Sequence, residues 1–213
     1  MTELRVTEIF YSLQGETRTT GCPTVFIRLT GCPLRCVYCD TAYAFTGGHR
    51  WSLDAILAEV ARYTPRYVTV TGGEPLAQPE CLQLLDALVE REYEVSLETS
   101  GALDVSGVHP AVSKVIDLKT PGSGEMGKNR YENLDYLTSR DQVKLVITGA
   151  DDYAWAKKQL SQYRLAERCE VLFSPAAGQQ DFTTLADDIL RDRLPVRFQI
   201  QLHKLLWGDS PGR

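Results

Sequence analysis

The sequence of 213 residues has no apolar run approaching the ~20 residues that a membrane-crossing helix needs. Its start, Met1-Thr2-Glu3-Leu4-Arg5, lacks the basic stretch and apolar segment of a secretion signal. It has no basic stripe. Its 23 Lys and Arg and 28 Asp and Glu are spread along the chain, for a net charge of −5. Direct binding to nucleic acid or to an anionic membrane is therefore not expected. Internal repeats, low-complexity tracts and linker-like stretches are missing too. The expectation is one domain over residues 1–213, soluble and cytoplasmic. An apolar fraction of 43% suits a sizeable core. Finally, no second cysteine pair accompanies the one cysteine cluster. Cys22, Cys81 and Cys169 are scattered, and a lone cysteine is usually a small buried hydrophobe. In a long chain without a secretion signal, clustered cysteines point to metal rather than to disulfides.

That cluster is Gly31-Cys32-Pro33-Leu34-Arg35-Cys36-Val37-Tyr38-Cys39-Asp40-Thr41. Gly31 and Pro33 make it a loop. Cys32, Cys36 and Cys39, spaced C-x3-C-x2-C, can turn three thiolates onto one inorganic centre. Soft thiolates select iron–sulfur clusters, zinc or copper(I). Three ligands are one short of a closed tetrahedral site. Either His49 or Cys22 completes a zinc knot, or one metal position stays open for chemistry.

Around this loop, short apolar runs alternate with helical patterns. Strands are expected at residues 24–29, 67–70, 94–97, 114–116, 142–147 and 170–173, with a last run at 196–201. Helices are expected at 53–60, capped by Ser52, and at 79–91, 151–163 and 182–191. Alternating strands and helices imply a parallel sheet with crossover connections. The polar motifs follow the strands: Thr71-Gly72-Gly73-Glu74, Glu98-Thr99-Ser100, Asp117-Leu118-Lys119 and Ser174-Pro175. Parallel β/α proteins build their sites at the C-terminal ends of strands, so these motifs should share one rim with the cysteine loop. The chain is short for a closed eight-fold barrel, which takes ~250 residues. The expected fold is α/β, a partial (open) β/α barrel of about six parallel core strands, with an extra strand near Val6 to Tyr11 capping one edge.

The three-cysteine loop resembles that of the radical S-adenosylmethionine (SAM) superfamily. The resemblance implies a [4Fe–4S] cluster on Cys32, Cys36 and Cys39, whose fourth iron is chelated by SAM. Electron transfer through that open position then cleaves SAM to a 5′-deoxyadenosyl radical. Tyr38 matches an aromatic packed near the SAM adenine. Thr71-Gly72-Gly73-Glu74-Pro75 resembles the superfamily's glycine-rich motif, which gives Gly73 to the methionyl end of SAM and Thr71 to the substrate. Glu98 and Ser100 become candidates for the SAM ribose, with strand-end capping as the alternative.

Leu13-Gln14-Gly15-Glu16 narrows the resemblance further. Together with Gly31-Cys32-Pro33 and Cys39-Asp40-Thr41 it is similar to the 7-carboxy-7-deazaguanine synthases of queuosine (7-deazapurine) biosynthesis, in the same motif order along the whole chain. These lyases convert 6-carboxy-5,6,7,8-tetrahydropterin to 7-carboxy-7-deazaguanine with loss of ammonia, use SAM catalytically and are assisted by Mg²⁺. By position, the resemblance puts Leu13, Gln14, Gly15, Arg28, Thr71 and His203 at the pterin. The Gln14 amide would serve a pterin edge and the Arg28 guanidinium a carboxylate. Thr41 matches a magnesium ligand. Lys119 and Ser174 match SAM contacts, although Asp117-Leu118-Lys119 stands where relatives often have Ser-Pro-Lys. No catalytic residue is implied beyond the cluster and SAM. The implied partners are an electron donor such as a flavodoxin and a second copy of the chain. Two other readings compete. A glycyl-radical-enzyme activase shares the three-cysteine loop, but many activases carry further cysteine clusters. A non-catalytic zinc-stabilised module would need a fourth protein ligand.

Overall fold

A computed structural model describes residues 2–208, 210 and 212. In chain order the elements are β1 (Glu3–Leu13), β2 (Pro23–Leu29), β3 (His49–Ser52), α1 (Leu53–Arg62), β4 (Tyr67–Gly72), α2 (Cys81–Glu90), β5 (Glu94–Thr99), β6 (Ser113–Asp117), β7 (Gln142–Ile147), α3 (Ala150–Gln162), α4 (Leu165–Arg168), β8 (Glu170–Pro175), α5 (Phe182–Asp192), β9 (Arg197–Phe198) and α6 (Leu202–Trp207). Among the described residues the strands form one sheet in the order β3-β1-β2-β4-β5-β6-β7-β8-β9. From β2 to β9 all neighbours are parallel, while β1 pairs antiparallel with both β2 and β3. The end strands do not pair with each other, so the sheet is an open, partial barrel.

The six expected core strands are all present. Three details differ from expectation. The strand around Val6 to Tyr11 is not an edge, because β3 pairs outside it through Glu3–Val6. β3 joins by backbone pairing and has no apolar alternation to announce it. The run at 196–201 gives only the two-residue β9, after which the Gln199 N–H donates once more to Phe173 O and the chain turns away. And β5, β6 and β7 are joined without α-helices. Three short 3₁₀ turns, Pro121–Ser123, Met126–Lys128 and Tyr131–Tyr136, fill the second connection. The expected helices are present within two residues at each end. Ser52 caps α1, its hydroxyl accepting from Ala55 N at 3.2 Å.

Strand periodicity sorts the side chains into two layers. Val25, Ile27 and Leu29 of β2, Val68 and Val70 of β4, and Val95 and Leu97 of β5 pack against Ile56, Leu57 and Val60 of α1 and Leu84, Leu85 and Leu88 of α2. Val143, Leu145 and Ile147 of β7 and Val171 and Phe173 of β8 pack against Tyr153, Ala156 and Leu160 of α3 and Leu185 and Ile189 of α5. Each such side chain contributes roughly 1.5–3 kcal/mol on burial. The residues between them point the other way. Phe26, Arg28, Thr71, Glu98, Asp117, Lys144 and Ser174 all line a cleft on the concave face. A parallel strand buried on both faces would be apolar throughout. Here one face is polar, and that face is the site.

Candidate active site

The cleft holds about 330 Å³. It lies at the C-terminal ends of the parallel strands, and every residue that the family resemblance implied for the site lines it. Cys32, Cys36 and Cys39 follow β2 and are each half-buried and free of disulfides. Burial pushes the thiols of Cys32 and Cys36 above the usual cysteine range, and the neighbouring thiols add to this. His49 and Cys22 do not line the cleft. His49 is in the edge strand β3, and Cys22 precedes β2, at the opposite end from the cysteine loop. The zinc knot therefore lacks its fourth ligand at this rim.

The glycine pair has a packing role. A Cβ on Gly72 would stand 2.3 Å from Leu29 O, and one on Gly73 would stand 2.3 Å from Gly31 O and 2.9 Å from Cys32 Cβ. Only glycine lets the end of β4 lie directly against the cysteine loop. Gly73 N donates to Leu29 O at 3.1 Å, and Glu74 N donates to Gly31 O at 2.8 Å. The Glu74 carboxylate is fully buried and braces two strand ends. It accepts from Leu76 N at 3.0 Å, Thr99 Oγ1 at 2.9 Å, and the backbone N–H (2.7 Å) and hydroxyl of Ser100. The Ser100 hydroxyl is thus engaged in capping the end of β5.

The N-terminal segment also lines the cleft, and there the Gln14 amide is held by internal partners. Its side chain is buried, Nε2 donates to Thr69 Oγ1 (3.1 Å) and Glu98 Oε1 (3.2 Å), and Oε1 accepts from Glu16 N at 3.1 Å. A buried amide must satisfy these groups internally, so Gln14 shapes the loop from within. Glu98 also accepts from Thr71 Oγ1 at 3.3 Å, and burial raises its carboxyl above the usual range against the pull of Lys144. Arg28 donates through Nε to Glu8 Oε1 at 2.7 Å. Its guanidinium lies 5.7 Å from the Phe10 ring centroid and 5.9 Å from that of Tyr43. In the cysteine loop, Thr41 Oγ1 is 3.8 Å from Cys39 Sγ.

Gly15 is fixed by the C-terminal segment. Leu202 N donates to Gly15 O at 2.9 Å, and a Cβ on Gly15 would fall 2.1 Å from His203 Nδ1 and 3.1 Å from its backbone nitrogen. Burial holds the His203 imidazole below the ordinary histidine range, with Glu16 and Asp40 opposing, so it is neutral at neutral pH. Gly15→Ala is expected to push α6 off the cleft and to cost about 1–3 kcal/mol as an overpacking defect. Thermal unfolding checks this, and an unchanged midpoint would contradict the contact.

Sequence reading missed a charged chain across the cleft. Glu16 Oε1 accepts from Gln201 Nε2 at 2.9 Å, and Glu16 Oε2 contacts Lys144 Nζ at 2.6 Å. Lys144 Nζ also lies 3.4 Å from Asp117 Oδ2, which is 3.1 Å from Lys119 Nζ. Lys119 Nζ in turn stands 6.0 Å over the Tyr38 ring. Gln201 Nε2 makes a second bond, to Asp40 Oδ2 at 3.1 Å. The signal was present in Val143-Lys144-Leu145, a lone charge inside a buried apolar strand. Such a charge must face a polar site.

These residues fit the groups that the cysteine pattern implies. Three thiols stand at the rim with room beside them. Asp117 Oδ1 is buried without a hydrogen-bond partner among the described residues, an acceptor at the cleft that a ligand donor would satisfy. The model of the radical SAM superfamily matches residues 26–116, which run from β2 through the cysteine loop to β6. The 7-carboxy-7-deazaguanine synthase of Chlorobaculum tepidum is 43% identical over 210 residues, covering 97% of this chain and 96% of that one. That of Koribacter versatilis is 42% identical, covering 96% and 97%. The crystal structure of QueE from Escherichia coli superposes with a TM-score of 0.77 at 25% identity, covering 94% of this chain and 95% of that one. Streptococcus suis SuiB bound to a precursor peptide, at 14% identity and a TM-score of 0.59, shares the fold over 80% of this chain and 46% of that one. With the cysteine loop, the glycine pair and the Gln14 segment gathered on one rim, and with such identity along nearly the whole length, the chain belongs to the 7-carboxy-7-deazaguanine synthase family of radical SAM enzymes.

Proposed function

We propose that the protein converts 6-carboxy-5,6,7,8-tetrahydropterin to 7-carboxy-7-deazaguanine with loss of ammonia, using SAM catalytically. The observation that carries this reading is the convergence of the cysteine loop, the Gly73 turn and the Gln14–Glu16 wall on one cleft, in a chain so similar to synthases of that name. When bound, the [4Fe–4S] cluster and SAM supply the radical chemistry. The chain's own residues bind and orient. Cys32, Cys36 and Cys39 hold the cluster. Tyr38, Gly73, Lys119 and Ser174 lie along the SAM side, with Glu98 and Ser100 acting there through Thr71, Gln14 and Glu74. On the pterin side Leu13, Gly15 and Thr71 form the wall. Arg28, steadied by Glu8 through Nε, offers its remaining N–H groups to the substrate carboxylate. Neutral His203 can donate from one ring nitrogen and accept at the other. Thr41 would hold Mg²⁺ through its hydroxyl, and the ion would supply a hard Lewis acid at the substrate.

The nine strands share one sheet, which supports reading residues 1–213 as one domain. No helix among the described residues is long and apolar enough to cross a membrane. We read the protein as a cytoplasmic homodimer reduced by a flavodoxin-like donor.

The test is anaerobic turnover. Cluster-loaded protein with reductant, SAM, Mg²⁺ and carboxytetrahydropterin is expected to yield the deazaguanine chromophore and ammonia. Thr41→Ala should raise the Mg²⁺ concentration for half-maximal rate by about tenfold or more, the loss of one ligand interaction. No product from a fully loaded preparation overturns the substrate. An unchanged Mg²⁺ requirement overturns the role of Thr41.

A further inference from the structure

Lys144 sits within β7, between Val143 and Leu145 of the core. Strand alternation turns it into the cleft, where its side chain is only 14% exposed. An ammonium in such a place loses its charge unless carboxylates compensate for the missing water. Two do so. Glu16 Oε2 lies 2.6 Å from Nζ and Asp117 Oδ2 lies 3.4 Å from it. These carboxylates come from different segments of the chain, the first loop and the end of β6. Glu16 ends the Leu13–Glu16 wall and is held from behind by Gln201. Asp117 ends β6, pairs with Lys119, and reaches through it to Tyr38 between two of the cluster cysteines. Asp117 and Lys144 are register partners in the parallel ladder, so the sheet itself sets their separation. Glu16 has no such template. It is 128 residues away in sequence and is placed by its contacts.

We propose, resting on the function given above, that Lys144 is a positioning residue for both half-sites, holding Glu16 in place for the pterin and Asp117 in place for SAM. Without the ammonium, two carboxylates would face each other across a poorly solvated gap. They would separate, or one would take up a proton. In either case the pterin wall and the SAM wall lose their common anchor. The positive charge persists throughout the working pH range, because Glu16 and Asp117 hold the Lys144 ammonium well above the ordinary lysine range against the cost of burial. The bridge is therefore a permanent part of the site and not a pH switch.

The contrast is with a buried ion pair that only stabilises the fold. Four variants separate the two: Glu16→Gln, Asp117→Asn, Lys144→Met and Lys144→Arg. SAM affinity is read by equilibrium dialysis against cluster-loaded protein without reductant. Pterin KM is read in turnover, and thermal unfolding is recorded for each variant. Glu16→Gln is expected to raise pterin KM by about tenfold and leave SAM affinity within about twofold, and Asp117→Asn the reverse, as for loss of one charge-assisted contact. Lys144→Met is expected to weaken both by about tenfold. Lys144→Arg, which keeps the charge, is expected to recover at least part of each. If Lys144→Met lowers the unfolding midpoint but leaves SAM affinity and pterin KM unchanged, the bridge is structural only and the proposal fails. If it shifts one and not the other, the joint role fails. Should Lys144→Met not fold, Lys144→Arg and the two carboxylate variants carry the same comparison. If the wild type makes no deazaguanine, the substrate assignment is at fault. Dialysis then still decides for Lys144, because SAM affinity unaffected by Lys144→Met would overturn its role independently of the substrate.

Discussion

Cys36→Ala is expected to yield a folded protein without an iron–sulfur chromophore and without detectable turnover. Cys36 lies outside both core clusters and is half-buried at the rim. Its loop is held by bonds that do not involve its thiol: Gly31 N to Ala44 O at 2.8 Å, Val37 N to Ser123 O at 3.1 Å and Cys39 N to Cys36 O at 3.1 Å. The fold should therefore lose little, on the order of 0.5 kcal/mol. The chemistry should lose everything, because His49 and Cys22 lie away from the cleft and cannot replace the missing thiolate. Iron and sulfide analysis after anaerobic reconstitution, read beside thermal unfolding, checks both halves. A variant that keeps an intact cluster and full turnover would show that Cys36 is not a ligand.

Glu74→Ala is expected to lower stability strongly. The carboxylate is fully buried and accepts from two backbone N–H groups and two hydroxyls. Its removal orphans Leu76 N, Ser100 N, Thr99 Oγ1 and Ser100 Oγ together. At about 1–3 kcal/mol for each unsatisfied buried group, with partial relaxation, the loss is roughly 3–5 kcal/mol. For a chain of this size that corresponds to a fall in the unfolding midpoint of about 10 °C. Cluster retention should fall as well, because the backbone of Glu74 anchors Gly31 at the start of the cysteine loop. Glu74→Gln keeps one acceptor oxygen and should fall between the two. A midpoint shift for Glu74→Ala below about 2 °C would mean that water readily replaces the carboxylate.

The parallel sheet was legible because its strands obey period two over a continuous core. Val25, Ile27 and Leu29 mark one face of β2, and the cysteine loop follows directly. The motifs at strand ends were legible for the same reason, since topology places strand ends on one rim. Legibility failed where a residue's role depends on what folds against it. Gln14 stands within the matched motif, and only the fold shows Thr69, Glu98 and Glu16 taking up its amide. Gly73 reads as freedom of backbone approach, whereas the constraint is Gly31 and Cys32 lying against it. β3 is four residues long with a single large apolar side chain, Trp51, and so leaves no alternation to read. Gln201, which ties Glu16 to Asp40, is separated from them by most of the chain. Lys144 could have been found from its isolation among apolar neighbours, but its partners could not.

The most direct measurement is the count of deazaguanine formed per SAM consumed by anaerobic, cluster-loaded protein supplied with carboxytetrahydropterin, Mg²⁺ and reductant. The account predicts 7-carboxy-7-deazaguanine and ammonia in equal amounts over many turnovers, with the SAM pool essentially unchanged. SAM cleavage without deazaguanine, or a colourless zinc-loaded protein lacking sulfide, would contradict it.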